Sequence, residues 1–196
     1  MKLLIDSSTY DLFLGLYEDD VVDTMVKNAK NNHSETLVDT LHVFLEKNNI
    51  TVEEIDEILV GRGPGSYTGV RISGTVAKVL ALVKNKPLYS FSTLDLLLAS
   101  KIEENGFFLA RIVAKKNHSY YKGANINQGE ITFTTPDMFG PDEQLQSFSA
   151  YTLIDGSIDA FEHRKEMVKT IIEKKLYQAE DVFTYVPNYL RNEING

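Results

Sequence analysis

The chain has 196 residues, no cysteine and a formal net charge of −8. Without cysteine there is neither a disulfide framework nor a thiolate metal site, and the acidic charge argues against direct nucleic-acid binding by the chain alone. No apolar run approaches the roughly 20 residues that a bilayer span needs, and the charge at Asp6 comes too early for a secretory signal. The sequence therefore predicts a cytoplasmic protein with no membrane partner.

The first half of the chain alternates between strand-like and helix-like segments. Apolar runs bounded by turn residues predict strands, and apolar residues at helical spacing predict helices. In chain order we expect strands at 2–5, 12–17 and 21–26, a helix at 34–47, a strand at 58–60, a helix at 70–84, a strand at 88–91 and a helix at 94–102. Three consecutive strands followed by strands with crossover helices indicate a mixed α/β sheet.

The second half has a different pattern, with shorter apolar runs and one long amphipathic segment. We expect strands at 107–113, 119–126, 130–134 and 151–154, a short helix at 141–147 and a helix at 159–176. The pair Asn105 and Gly106 is the expected boundary between two domains, residues 1–104 and residues 105–196. We expect the tail from residue 182 onwards to pack back on the first domain.

A glycine-rich loop, residues 61–69, separates the strand at 58–60 from the helix at 70–84. Glycine permits positive φ and close approach to the backbone, and the N–H groups of a following helix can bind an anion. The spacing fits no P-loop, dinucleotide fingerprint or nucleophile elbow. The loop therefore has two interpretations, a phosphate site or a tight turn, and both concern Gly63, Pro64, Gly65, Ser66, Thr68 and Gly69.

The helix predicted at 70–84 is apolar over most of its circumference. Arg71, Thr75 and Lys78 form one narrow polar stripe, and Gly74, Ala77 and Ala81 form a row of small side chains that allows close helix contact. One face of a sheet covers only part of such a helix. The remainder must be covered by another helix of this chain, by the other domain or by a second chain.

Four motifs occur in the order that is found in the bacterial TsaB family, also called YeaZ. They are Leu4-Ile-Asp-Ser-Ser-Thr9, His33-Ser-Glu-Thr-Leu37, Gly63-Pro-Gly-Ser-Tyr-Thr-Gly-Val-Arg-Ile72 and Pro187-Asn-Tyr-Leu-Arg191. The chain resembles this family most strongly over residues 1–100, and the run that begins at Gly63 is the most specific. One departure is Val113-Ala114-Lys115, where many members carry Asp-Ala-Arg.

The resemblance implies the actin-like ATPase fold, in two lobes with a reduced second lobe. It also implies a non-catalytic partner subunit of the complex that transfers a threonylcarbamoyl group to adenosine in tRNAs that read codons starting with adenine. The catalytic paralogue, TsaD, carries the metal, the nucleotide and the chemistry, and an ATPase subunit, TsaE, joins the complex. No cofactor and no catalytic residue is then expected in this chain.

The resemblance further implies that the first two long helices of this chain form a four-helix bundle with those of TsaD, and a homodimer through the same helices is left open. The residues expected at this interface are Leu37, Leu41, Val70, Arg71, Gly74, Ala77, Lys78 and Ala81. The paralogue places an H-x-x-x-H metal pair on the first helix, whereas this chain has His33 and Leu37, so no metal site is expected.

Two alternative functions remain open. An actin-like ATPase holds Mg²⁺ and phosphates after its first strand, where this chain has Asp6, Ser7 and Ser8 without a glycine. These three residues are a possible vestigial nucleotide loop, although an aspartate there also caps turns. The alternatives are an ATP-binding enzyme that uses the loop from Gly63 to Gly69 and, less favoured, a peptidase.

Overall fold

The computed structural model describes residues 1–28, 33–156 and 162–190, without the side chains of residues 33–35. The strands are β1 (Lys2–Asp6), β2 (Asp11–Tyr17), β3 (Val21–Asn28), β4 (Glu57–Gly61), β5 (Leu88–Phe91), β6 (Gly106–Lys115), β7 (His118–Asn127), β8 (Glu130–Phe133), β9 (Met138–Pro141), β10 (Thr152–Asp155) and β11 (Tyr177–Glu180). The α-helices are α1 (His33–Lys47), α2 (Tyr67–Lys84), α3 (Thr93–Ala99) and α4 (Arg164–Glu173), and short 3-10 helices occupy Val52–Glu54 and Asp142–Phe148.

The first sheet has six strands in the order β11-β5-β4-β1-β2-β3. Strands β1, β2 and β3 form an antiparallel meander, whereas β1, β4 and β5 are parallel neighbours. Parallel neighbours need a crossover connection, and an α-helix normally supplies it. Helices α1 and α2 make these crossovers, so both begin at the end of the sheet where the parallel strands finish.

Alternate side chains of the central strands face two separate hydrophobic clusters. Leu3 and Ile5 of β1 pack with α1 and α2, whereas Leu4 packs with α3, α4 and the second sheet. This follows from the two-residue period of a strand, which sends successive side chains to opposite faces. The first sheet is therefore covered on both faces, which accounts for the fully buried β2.

The second sheet contains β10, β6, β7 and β8 in that order, and β9 also pairs with β7. Its longest pairing is the β6–β7 hairpin, whose turn contains Asn117 in the left-handed region with φ 59°. One face of this sheet contributes Phe108, Ala110 and Ile112 to the cluster around α3 and α4. That face therefore packs against α3 and α4.

A buried ionic cluster joins the two sheets next to α3. The Lys122 ammonium on β7 donates a hydrogen bond to Asp95 of α3 and lies 3.2 Å from Asp137 Oδ1, an ion-pair contact without hydrogen-bond geometry. Ser92 Oγ donates to the other Asp137 oxygen at 2.9 Å. Burial raises the pKa of Asp95 to about 6, although the attraction of Lys122 opposes the shift. The cluster thus ties β7 to the start of α3.

The structure confirms the mixed α/β class and most of the predicted elements. Helix α2 begins at Tyr67, three residues before the predicted start, because Ser66 caps it. The segment predicted as one helix at 159–176 contains the shorter α4 and is followed by β11, which the sequence did not predict. The short helix predicted at 141–147 is a 3-10 helix at Asp142–Phe148 and follows another unpredicted strand, β9.

The division into residues 1–104 and 105–196 stays a prediction. The structure shows that β11, from the last part of the chain, pairs antiparallel with β5 in the first sheet. Tyr185 is also buried in the cluster between that sheet and α1 and α2. Within the three described ranges, no helix has the length and apolar character to cross a membrane.

Candidate functional site

The glycine loop, residues 61–69, packs against the turn that follows β1. A Cβ atom on Gly65 would lie 2.1 Å from the Ser8 carbonyl oxygen, and one on Gly69 would lie 1.8 Å from that of Ser7. Ser66 N donates to Ser8 O at 2.6 Å, and Ser7 Oγ donates to Gly69 O at 2.7 Å. These two glycines therefore let the loop approach the chain's own backbone.

The start of the loop is held by β5, by α3 and by the tail. Arg62 N donates to Phe91 O at 2.9 Å, Thr93 N donates to Gly63 O at 2.9 Å, and Asn188 N donates to Arg62 O at 2.8 Å. Gly63 has φ 86°, in the region that favours glycine. Several parts of the chain thus fix the path by which the loop leaves β4.

The end of the loop starts α2. Ser66 is the N-cap, and its side chain accepts a hydrogen bond from Gly69 N at 3.2 Å. Pro64 is buried, and the peptide bond between Gly63 and Pro64 is cis. Thr68 is exposed in the first turn of the helix. The serine satisfies one of the N–H groups that a helix start leaves without a partner.

Both carboxylate oxygens of Asp6, at the end of β1, accept hydrogen bonds from other residues of the chain. Its Oδ1 accepts from Ser8 N at 2.8 Å and its Oδ2 accepts from Thr93 Oγ1 at 2.8 Å. A Cβ atom on Gly61 would lie 2.2 Å from the Asp6 carboxyl carbon, so this neighbour has to be glycine. Burial raises the pKa of Asp6, although the hydrogen bonds from Ser8 and Thr93 act in the opposite direction. The side chain caps the turn after β1.

A cleft of about 670 Å³ opens between the two sheets. Its walls are the turn after β1, the start of α2, the second half of β6, the end of β10 and the tail at residues 188–189. Arg111 Nε lies 2.8 Å from Asp155 Oδ1 on the β6–β10 wall, and Tyr10 and Tyr67 are more than half exposed at the rim. The sequence did not indicate Arg111 and Asp155, because they meet only through the register of β6 with β10.

The small-residue row of α2 faces the inside of this chain. Ala77 and Ala81 are buried, and a Cβ atom on Gly74 would lie 3.2 Å from the Tyr185 ring. Of the eight residues expected at an interface, six are buried within the chain: Leu37, Leu41, Val70, Gly74, Ala77 and Ala81. The row therefore makes a contact within the chain, with the tail and the sheet, and an interface at these eight residues stays a prediction.

The other side of α2 carries an apolar stripe, whose last two residues are more than half exposed and whose first two are partly buried against the core of the chain. Four residues form this stripe, which we call the outer stripe: Ile72, Val76, Val79 and Val83. Their spacings of four, three and four residues place them within a narrow arc of the helix. Val79 is 52% exposed and Val83 is 71% exposed, and α1 adds Val38 and Val43 at 56% and 54%. This spacing is typical of a helix that packs along another helix.

A polar pocket lies beside α2 on the side of the tail. Its volume is about 370 Å³, and it lies between α2 and residues 185–189. Arg71 Nε donates to Tyr189 Oη at 3.2 Å, and the guanidinium carbon lies 4.4 Å from the centre of the Tyr67 ring. Lys78 Nζ donates to Tyr185 O at 3.4 Å. Arg71, which is exposed, and Lys78, which is partly buried, are thus held next to one pocket.

Leu37 is 1% exposed and belongs to the core. It stands at the position where the resemblance places the second histidine of the paralogue's H-x-x-x-H metal pair. The side chain of His33 and the whole of Arg191 lie outside the described residues. Over the part of the chain that the structure covers, no group of three or more His, Cys, Asp or Glu side chains is placed to hold a metal ion.

A family model described as "TsaD: tRNA N6-adenosine threonylcarbamoyltransferase" matches residues 25–151. The tRNA threonylcarbamoyladenosine biosynthesis protein TsaB of Bacillus subtilis (strain 168) is 32% identical over 136 residues, which are 69% of this chain and 59% of that protein. The protein of the same name from Escherichia coli (strain K12) is 30% identical over 121 residues, 61% of this chain and 52% of that protein. The matches thus span little more than half the length of these relatives.

The solved structure of YeaZ from Pseudomonas aeruginosa is similar over 96% of this chain and 99% of that one, with a TM-score of 0.77 and 20% identity. The sheet order and the family model define the class of protein: the chain has the actin-like ATPase fold, with a meander, parallel strands and crossover helices in the first sheet and a smaller second sheet. Within that class, the chain belongs to the family of the matched model and, through its relatives, to the TsaB family, also called YeaZ.

Proposed function

We propose that the chain is a non-catalytic partner subunit in the biosynthesis of threonylcarbamoyladenosine on tRNA, and that it binds and supports a TsaD-type catalytic paralogue. The names of the curated relatives support the pathway. The outer stripe of α2 is the observation that carries the role of partner, because its four aliphatic side chains lie at bundle spacing and two of them, Val79 and Val83, are more than half exposed.

The outer stripe suits a partner that has a pair of helices like α1 and α2. The matched family model is that of the transferase, and it covers α1 and α2 of this chain. A paralogue with the same helices can pack on them about an approximate twofold axis, so that each stripe covers the other. Burial of apolar surface then supplies the association energy, at roughly 25 cal/mol per Å² before the entropy of association is subtracted.

The glycine loop supports a role without phosphate chemistry. Gly65 and Gly69 approach the carbonyl groups of Ser8 and Ser7, and Asp6 binds Ser8 and Thr93. The groups that the sequence offered to a nucleotide therefore bind other parts of the chain. Leu37, at the second metal-ligand position of the paralogue, is part of the core.

The stripe is tested with Val83→Arg and Val79→Arg, both at exposed positions. We expect each variant to keep the thermal stability of the parent and to weaken binding to the TsaD-type protein of the same organism at least tenfold, because a charge replaces a buried aliphatic contact. Isothermal titration calorimetry measures the affinity. Val113→Arg, at a position 50% exposed on the second sheet, is the matched control. Unchanged binding by both α2 variants would show that the stripe is not the interface.

An ATP-binding enzyme is the second candidate, and the cleft of about 670 Å³ between the sheets is the observation that favours it. Titration of the isolated chain with ATP and Mg²⁺ separates the two candidates. The partner-subunit proposal predicts no tight binding by the isolated chain. Micromolar affinity that is lost in Ser66→Arg, at the mouth of the cleft, would establish the nucleotide site instead.

When the paralogue is absent, a second copy of this chain can pack on the outer stripe, because it carries the same apolar helices. We therefore propose a homodimer through the same helices, with a TsaE-type ATPase joining only the complex that contains the paralogue. Sedimentation of the isolated chain measures its state. A dimer that Val83→Arg converts to monomer supports this arrangement, whereas a dimer unaffected by that variant uses another surface.

A further inference from the structure

The pocket beside α2 contains two cations that have no anionic partner within the described ranges. Arg71 and Lys78 are two turns apart on the same side of the helix, and Thr75 lies between them. Arg71 contacts the neutral groups of Tyr189 and Tyr67, and Lys78 contacts a carbonyl oxygen. On the same helix, Lys84 is paired with Glu53. The pocket thus has a positive charge that its own walls leave uncompensated.

The contacts of these cations also fix their positions. The Tyr67 and Tyr189 rings lie 5.4 Å apart, and the Arg71 guanidinium bonds the hydroxyl of one ring and lies over the face of the other. Because Nε is used for Tyr189, the two terminal nitrogens are left to meet another group. An arginine held in this way is suited to a carboxylate, which it can bind through two parallel hydrogen bonds.

We infer that this pocket receives an Asp or Glu side chain of the docked partner protein, bound by Arg71 and Lys78. The inference rests on the proposed function, because Arg71 and Lys78 are on the helix that carries the outer stripe. A partner seated on that stripe brings its own side chains to the edge of the pocket. The net charge of −8 disfavours the other source of an oxyanion, an RNA backbone. A carboxylate here fixes the register of the two chains, which the aliphatic stripe alone specifies weakly.

The test uses the full chain and the TsaD-type protein of the same organism. Affinity is measured by calorimetry at several salt concentrations for the parent, Arg71→Gln, Lys78→Gln and the double variant. We expect a loss of about tenfold in each single variant and about a hundredfold in the double variant, together with a weaker salt dependence. Lys116→Gln, at an exposed turn of the second sheet, is the matched control and binds like the parent.

The outcomes separate this inference from the proposed function. If the parent does not bind the paralogue, both are overturned. If the parent binds, Val83→Arg does not, and the double variant binds like the parent, only the carboxylate pocket is wrong. A double variant that keeps paralogue affinity and loses tRNA binding by the complex would assign the pocket to RNA phosphate. A double variant that melts several degrees below the parent would assign it to a carboxylate of the same chain. Either of these results overturns the inference.

Discussion

Two positively charged sites of this protein differ in how their charge is balanced. Lys122 is buried between the two sheets and is surrounded by Asp95 and Asp137. Arg71 and Lys78 lie at the surface of α2 and contact only neutral groups in the described chain. A buried charge has to be compensated inside the molecule, because desolvation is costly. A surface charge that the fold orients and leaves uncompensated can be compensated by another molecule.

The difference assigns the two sites to different tasks. The Lys122 cluster joins the sheets and is part of the fold. The Arg71–Lys78 pair is expected to contribute little to the fold, since contacts at the surface are screened by water and salt. The variants below separate these tasks, beginning with the largest expected effect.

Lys122→Met is expected to destabilise the protein by about 3–5 kcal/mol, because it leaves two neighbouring buried carboxylates without their cation. Urea denaturation followed by circular dichroism measures the change. Lys116→Met, in the exposed turn before β7, is the matched control and shifts the free energy of unfolding by less than about 0.5 kcal/mol. Equal effects of the two variants would show that the buried cluster is not structural.

Asp95→Asn is expected to change the pH dependence of stability. The folded pKa of Asp95 is raised to about 6 from an ordinary value of 3.8 by burial, with Lys122, Asp137 and Arg62 as the charges that face it. Between these two values the folded state holds a proton that the unfolded state releases. The carboxyl therefore favours folding at acid pH, and this contribution is lost as the pH rises through about 6.

The expected loss between pH 4 and pH 7 is at most about 3 kcal/mol in the parent relative to Asp95→Asn. Urea denaturation of both proteins at several pH values measures it. A parent that gains stability relative to the variant over this range would have the opposite sign, and would mean that the attraction of Lys122 exceeds the effect of burial.

The double variant Arg71→Gln with Lys78→Gln is expected to change the free energy of unfolding by less than about 0.5 kcal/mol. The reason is that both side chains contact neutral groups at the surface. Thermal denaturation of the isolated chain measures the effect. A decrease of about 2 kcal/mol or more in the free energy of unfolding would show that these cations, like Lys122, stabilise the fold.

The sequence predicted the first sheet well because its strands are short apolar runs between clear turns, as at Leu12 to Tyr17. It did not predict β11, because its four residues, Tyr177 to Glu180, are too few for their alternation to stand out and contain no β-branched residue. That strand forms because β5 presents a free edge, which is a property of the assembled sheet.

The candidate site shows the same limit. The apolar excess of α2 was visible in the sequence, but periodicity does not say which side of the helix faces the core. Gly74 is close to Tyr185, and this contact decides the orientation although the two residues are 111 positions apart. The partners of Lys122 could not be predicted either, because Asp95 is 27 residues away on another element.

The place of β11 in the first sheet has a consequence for synthesis on the ribosome. That sheet starts with β1 at Lys2, yet the strand that pairs with the outer edge of β5 is β11, at residues near position 180. While the chain is being translated, β5 is therefore an open edge strand, with N–H and C=O groups that another nascent chain can pair with. The newly made protein consequently depends on β11 emerging before neighbouring chains reach that edge.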